Sequence, residues 1–201
     1  LALIGLVGKD QQKLDRILEN FETLSLPIRE RLMRNVLQDY SGYYYSNEKK
    51  EKKPIDAFQR QFALRVIKDR SEQVMSSAIS ALLSVELAAD EMGVLQEMLK
   101  RKSSGLRKKL IALIIKQRDD VILPLIENTL ETGDTEQRWA VLDIMLQLQK
   151  QNRLSENIPN WIDAYQSRKK LSEREVTFLE QFDTGSISQQ AISADNGFGL
   201  Y

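Results

Sequence analysis

The stretch Val74-Met-Ser-Ser-Ala-Ile-Ser-Ala-Leu-Leu83 (VMSSAISALL) decides the fold. Val74, Ala78, Ile79, Leu82 and Leu83 follow an i, i+4, i+5, i+8, i+9 spacing, which predicts a helix with one face buried on a neighbour. The stripe returns 32 residues later as Leu106, Leu110, Ile111, Ile114 and Ile115, and a further 31 residues on as Gln137, Val141, Leu142, Met145 and Leu146. Four of its five positions are apolar in all three copies, so the spacing is a repeat and not a coincidence of one helix. Second helices lie beside the copies, carrying Val94, Leu95, Met98 and Leu99, then Ile122, Leu125, Ile126 and Leu130, then Ile158, Trp161, Ile162 and Tyr165. The repeating unit is therefore a pair of helices.

Upstream, Leu14, Ile17, Leu18 and Phe21, then Ile28, Leu32, Val36 and Leu37 after Pro27, predict two helices before residue 40. The segment from Tyr40 to Lys53 (YSGYYYSNEKKEKK) breaks the period with Ser, Gly, Asn and a charge run, and Pro54 follows where a next helix can start. Punctuation downstream agrees with helix pairs. Ser172 with Glu175, and Asp134 with Gln137, have the three-residue spacing of a capping box. Asp90, Asp120 and Asn157 are expected to cap the second helices, leaving Pro124 and Pro159 near their first turns.

Helix pairs at a period near 32 residues, without strand-like alternation, imply stacked hairpins in an α-solenoid. On these stripes, on the second helices and on the charged residues opening the turns, the chain resembles HEAT-like repeats over about residues 54–182. That resemblance implies an all-α helical-hairpin repeat array with a right-handed superhelix. The expected organisation is N-terminal helices over 1–40, a linker or loop over 41–53, HEAT-like helical repeats over 54–182 and a C-terminal tail over 183–201. The start without Met and the ending DNGFGLY lead us to expect a tail running into a further domain. The stretch RWAVLDIMLQLQKQ at 138–151, with NGFGLY at the end, also resembles helical-repeat parts of large bacterial proteins once labelled regulators of molybdate metabolism.

Composition narrows function by exclusion. The chain of 201 residues has neither Cys nor His, so it builds no disulfide, no zinc site of the usual kind and no Ser-His or Cys-His nucleophile from its own side chains. Lysine and arginine total 29, as do aspartate and glutamate, so bulk charge points to neither nucleic acid nor acidic lipid. Eight apolar residues open the chain, LALIGLVG, against the roughly 20 that a bilayer crossing needs. A cysteine-free chain suits a reducing, cytoplasmic setting. No reaction, cofactor or metal is expected.

Local clusters remain. Residues 98–118 hold Lys100, Arg101, Lys102, Arg107, Lys108, Lys109, Lys116 and Arg118 with no acid, whereas 119–136 hold Asp119, Asp120, Glu127, Glu131, Asp134 and Glu136 with no base. Ser103, Ser104 and Gly105 fall inside the basic half at an expected helix start, where free N–H groups, hydroxyls and cations can converge on an anion. The alternative is a solvated basic turn. Phosphate contacts there would give salt-sensitive binding of nucleic acid, although no aromatic between Lys100 and Lys116 offers a stacking platform.

Trp139 and Trp161 sit in register with the apolar stripes and are expected in the core, while Tyr43, Tyr44 and Tyr45 beside Gly42 suggest either a partner anchor or a folded-back loop. The carboxylate pairs Asp119 and Asp120, Asp90 and Glu91, and Glu173 and Glu175 read as first-turn caps. The function expected is a scaffold or protein-interaction module of a larger protein. Its partner surface is expected on the second helices at about 91–100, 120–131 and 158–168, with Glu97, Lys100, Glu127, Glu131, Asp163 and Arg168 as polar contacts. The alternative is a nucleic-acid or phosphate-binding repeat using 100–109.

Overall fold

Helical spacing becomes helices throughout the computed structural model, which describes residues 11–37, 55–167 and 171–182. In chain order these are α1 (Gln11–Glu19), a 3-10 turn (Phe21–Thr23), α2 (Leu26–Val36), α3 (Ala57–Val66), α4 (Glu72–Leu82) and α5 (Ala89–Met98). There follow α6 (Ser104–Ile115), α7 (Asp119–Thr132), α8 (Thr135–Lys150), α9 (Asn157–Gln166) and α10 over 173–182. The described residues contain no strand, so the protein is all-α. No described helix is long and apolar enough to cross a membrane. The 41–53 linker, Tyr43 to Tyr45, Pro54, Arg168 and the 183–201 tail lie outside the described residues.

The chain divides into two compact units, Leu1–Ile122 and Leu123–Tyr201. In the first, α2, α4 and α6 pack in series, α1 packs on α3, and α3 and α5 pack on α4 and α6 respectively. The apolar stripes supply these faces: Val74, Ala78, Ile79 and Leu82 of α4 and Leu106, Leu110, Ile111 and Ile114 of α6 are 0–3% exposed. Each buried Val, Leu or Ile among them contributes about 1.5–3 kcal/mol of transfer free energy, alongside Phe62, Ile67, Met75, Leu95 and Leu99 in the same core. Phe21 of the 3-10 turn meets Phe62 of α3 edge to face, ring centroids 6.0 Å apart.

Hydrogen bonds in this unit span nearly the sequence period. The Arg60 guanidinium donates to Glu91, 31 residues on, through Nε at 2.9 Å. The Lys68 ammonium donates to Glu97, 29 residues on, at 2.7 Å. The Ser103 hydroxyl donates to Glu72, 31 residues back, at 3.0 Å. The buried side chain of Gln117 accepts from the Leu87 N–H at 2.8 Å and donates to the Val85 carbonyl, 32 residues back, at 3.3 Å.

In the second unit, α8 is the central stripe: Ala140, Val141, Leu142, Ile144, Met145 and Leu148 are 0% exposed. Ile158, Ile162 and Tyr165 of α9 and Leu179 and Phe182 of α10 complete the core. Asp134 and Gln137 form the expected capping box at the start of α8, which buries Gln137 in the one polar position of the repeated stripe. Ser172 and Glu175 form the other, the Ser172 N–H donating to Glu175 Oε2 at 2.7 Å and the Glu175 N–H to the Ser172 hydroxyl at 3.4 Å.

Several expectations need correction. Ile28 is 42% exposed, because the inward face of α2 is Arg29, Leu32, Met33 and Leu37; Arg29 turns inward to reach an acid partner. Ala88, not Asp90, is the N-cap of α5, its N–H donating to Glu91 at 2.7 Å. Asp120 lies within the first turn of α7 and pairs with Arg118, while Glu156 takes the cap position ahead of Asn157. Pro159 sits in the first turn of α9 as expected, but Pro124 lies inside α7, beyond the donors a helix start leaves unused.

Candidate interaction surface

The basic segment forms the turn into α6 and that helix's first two turns. Lys100, Arg101, Lys102, Ser104, Lys108 and Lys109 are exposed. Ser103 is the N-cap of α6: its hydroxyl accepts from the Leu106 N–H at 3.4 Å and donates to Glu72 Oε2 at 3.0 Å. A carboxylate of the chain itself thus already stands at this helix start. Arg107 donates to the Arg101 carbonyl at 3.2 Å, and the Lys109 ammonium donates to the Ser76 hydroxyl. The Lys68 ammonium holds Glu97 below the usual carboxylate range, and Lys100 and Arg101 act in the same direction. None of residues 100–109 lines either of the two grooves described below.

The second helices do better. In the second unit Glu127, Leu130 and Glu131 of α7 face Trp161, Ala164 and Tyr165 of α9 across a groove of about 300 Å³. The four-residue step from Glu127 to Glu131 puts both carboxylates on one side of α7, and both are exposed. Trp161 is half-buried, so the indole expected in the core instead walls a groove. Asp163 is exposed on α9 but does not line it.

A polar cluster fixes the Tyr165 wall from behind. The Tyr165 hydroxyl donates to Glu175 Oε1, and Arg138 Nε donates to the Tyr165 oxygen at 3.0 Å and to Glu175 at 3.3 Å. Arg138 also donates to the Gly133 carbonyl at 2.7 Å, tying the cluster to the turn before α8. Burial, then the Glu175 carboxylate, push the Tyr165 hydroxyl up to about 12, against the pull of Arg138. Burial pushes Glu175 up too, but hydrogen bonds from Tyr165, Ser172 and Arg138 outweigh it and hold the carboxyl below its ordinary value. Trp139 is half-buried, with the Arg174 guanidinium carbon 4.1 Å from its ring centroid.

In the first unit a wider groove of about 710 Å³ runs between α1 and α3 and reaches Glu91 of α5. Asp15, Glu19, Arg60, Gln61 and Arg65 line it, and Arg60 spans Glu91 and the Glu86 carbonyl, the latter at 2.9 Å. Sequence reading missed this groove, since Arg60 and Glu91 lie off the apolar stripes; their separation by one period was the available signal. The paired acids serve locally: Glu91 and Glu175 cap helices and Asp120 pairs with Arg118. No cluster of metal-ligating side chains occurs among the described residues.

No curated protein and no solved structure matches the chain significantly. A family profile does match, over residues 1–201, and on that full-length agreement the chain belongs to DUF5724, a family of unknown function.

Proposed function

We propose that the chain is a non-catalytic cytoplasmic module, a HEAT-like array of stacked helical hairpins. It binds a protein partner, or other domains of its own chain, through its second helices, α5 in the first unit and α7 and α9 in the second. The observation that carries this reading is the α7–α9 groove, where two exposed carboxylates and a half-buried indole are held open between successive second helices. The hydrogen bonds that join positions 29, 31 and 32 residues apart in the first unit support stacking in series. Half-exposed tryptophan in a shaped groove is the kind of anchor that dominates protein–protein contacts.

A photo-crosslinking residue placed in turn at Glu97, Glu131, Asp163, Gln73 and Lys108 tests this in the native host. Adducts with one protein from the first three positions, and none from Gln73, are the expected result. No protein adduct from any of the first three removes the reading.

The competing reading, binding of nucleic acid or phosphate through 100–109, draws on the exposed Lys100, Arg101, Lys102 and Lys108. It requires retention on duplex DNA that falls steeply with salt and is abolished by Lys108→Glu with Lys109→Glu. Salt-insensitive, weak retention is the outcome expected here.

A further inference from the structure

Of the two grooves, the one between α7 and α9 has a chemistry that selects its occupant. Glu127 and Glu131 stand one helical turn apart on its rim, a like-charge spacing that is unfavourable in a helix and that a cation between them would relieve. Among the described residues no cation pairs with either carboxylate. Arg138 is committed to Tyr165, Glu175 and Gly133, and Arg174 lies over Trp139. Opposite the acids, Trp161 offers an aromatic surface that attracts cations, and Leu130 and Ala164 offer apolar surface for an alkyl stem. The volume of about 300 Å³ is at the lower limit of small-molecule sites, which suits one long side chain better than a nucleotide or a cofactor.

We propose that this groove receives a lysine or arginine side chain from a basic peptide segment of a protein partner, its charge between Glu127 and Glu131 and its stem along Trp161. The inference rests on the partner-surface reading above and names the partner's chemistry. Tyr165, held by Glu175 and Arg138, is a fixed wall of the groove. Charge complementarity of this kind raises specificity and association rate and is weakened by salt.

The test uses the full chain and a fluorescein-labelled peptide of three Leu-Lys-Lys-Leu units, with Arg-for-Lys and Glu-for-Lys versions, read by fluorescence anisotropy. The Lys and Arg peptides are expected to bind at least tenfold more tightly than the Glu peptide. Glu127→Gln with Glu131→Gln is expected to weaken binding about tenfold, Trp161→Ala by a similar factor, and the control Glu173→Gln, exposed on α10 and away from the groove, by less than twofold. Melting curves verify that each variant is folded. Equal binding of the Lys and Glu peptides, or equal effects of the groove and control substitutions, overturns the inference. A crosslink from position 131 to a partner segment without basic residues also overturns it while leaving the partner surface standing. Loss of all crosslinks from 97, 131 and 163 removes the surface itself.

Discussion

Arg29 of α2 and Asp69, in the turn between α3 and α4, form an ion pair out of reach of solvent, their side chains 3% and 0% exposed. Asp69 also accepts from the Ser71 N–H at 2.7 Å, so one carboxylate orders the start of α4 and anchors α2. Desolvating both charges costs several kcal/mol, and Arg29 Nε has no hydrogen-bond partner to offset it. Removing one member is worse, because the other stays buried and unpaired. Arg29→Ala and Asp69→Ala are each expected to destabilise by about 3–5 kcal/mol, whereas Arg29→Met combined with Asp69→Leu should recover most of that loss. Urea denaturation of the two singles and the double decides it; a double variant no better than the singles would refute the desolvation argument.

Gln117 does for a turn what the apolar stripes do for helices. Its buried side chain accepts from the Leu87 N–H and donates to the Val85 and Leu113 carbonyls, at 2.8, 3.3 and 3.1 Å. Gln117→Leu keeps the volume but leaves the buried Leu87 N–H without an acceptor, at a cost of about 1–3 kcal/mol. Protection of the Leu87 amide against hydrogen exchange is expected to fall in the variant. Unchanged protection would show that this amide finds another acceptor.

Tyr165 and Glu175 set opposite pH limits on the second unit. Folding favours the protonated phenol, whose value rises from 10.0 to about 12, chiefly through burial. Its contribution is therefore complete below pH 10 and is lost as pH rises toward about 12. Glu175 is held low, so its contribution is present above the ordinary carboxylate range and is lost as pH falls through its folded value. The expected result is a steeper loss of stability above pH 10 for the wild type than for Tyr165→Phe, with both losing stability in acid. Denaturation free energies measured across the alkaline range give the comparison directly; parallel curves would count against a buried, Glu175-bound phenol.

Apolar spacing carried most of the fold into view. All five positions of the stripe from Leu106 to Ile115 are buried, and so are Ile122, Leu125, Ile126 and Leu130 of the next helix. Periodicity fails where a polar side chain takes an inward position because a partner waits there: Arg29 displaces Ile28, and that partner is 40 residues away, beyond any local spacing rule. The candidate site was legible by halves. Glu127 and Glu131 stand out as acids on a second helix, but Trp161 looked like core, since hydrophobicity alone cannot tell an indole at a groove wall from one inside. Position within a cap also escaped reading, because Asp90 and Asp120 suit the first turn as well as the N-cap.

Gly133 and Asn152 follow successive helices, and the best residue at each is decided by different physics. Gly133 closes α7 with its N–H on the Thr129 carbonyl at 2.9 Å, and a Cβ there would lie 2.4 Å from that oxygen and 2.8 Å from Thr129 Cγ2. Glycine is required by space. Its carbonyl also receives Arg138, so a shifted Gly133 disturbs the Tyr165 cluster. Asn152 instead sits at a φ of 55° after α8, where its N–H donates to Gln149 at 2.9 Å and the Arg153 N–H reaches back to Leu148 at 2.9 Å, closing a Schellman motif. Conformation is the constraint here, and glycine satisfies it with less strain than asparagine. Gly133→Ala should cost about 1–3 kcal/mol as a packing clash. Asn152→Gly should be neutral or stabilising by up to about 1 kcal/mol, and Asn152→Val destabilising by about 1–2 kcal/mol. Thermal melts of the three variants separate the cases; a tolerated Gly133→Ala would mean that the Thr129 end of α7 yields freely, and the groove wall beside it with less rigidity than the hydrogen bonds imply.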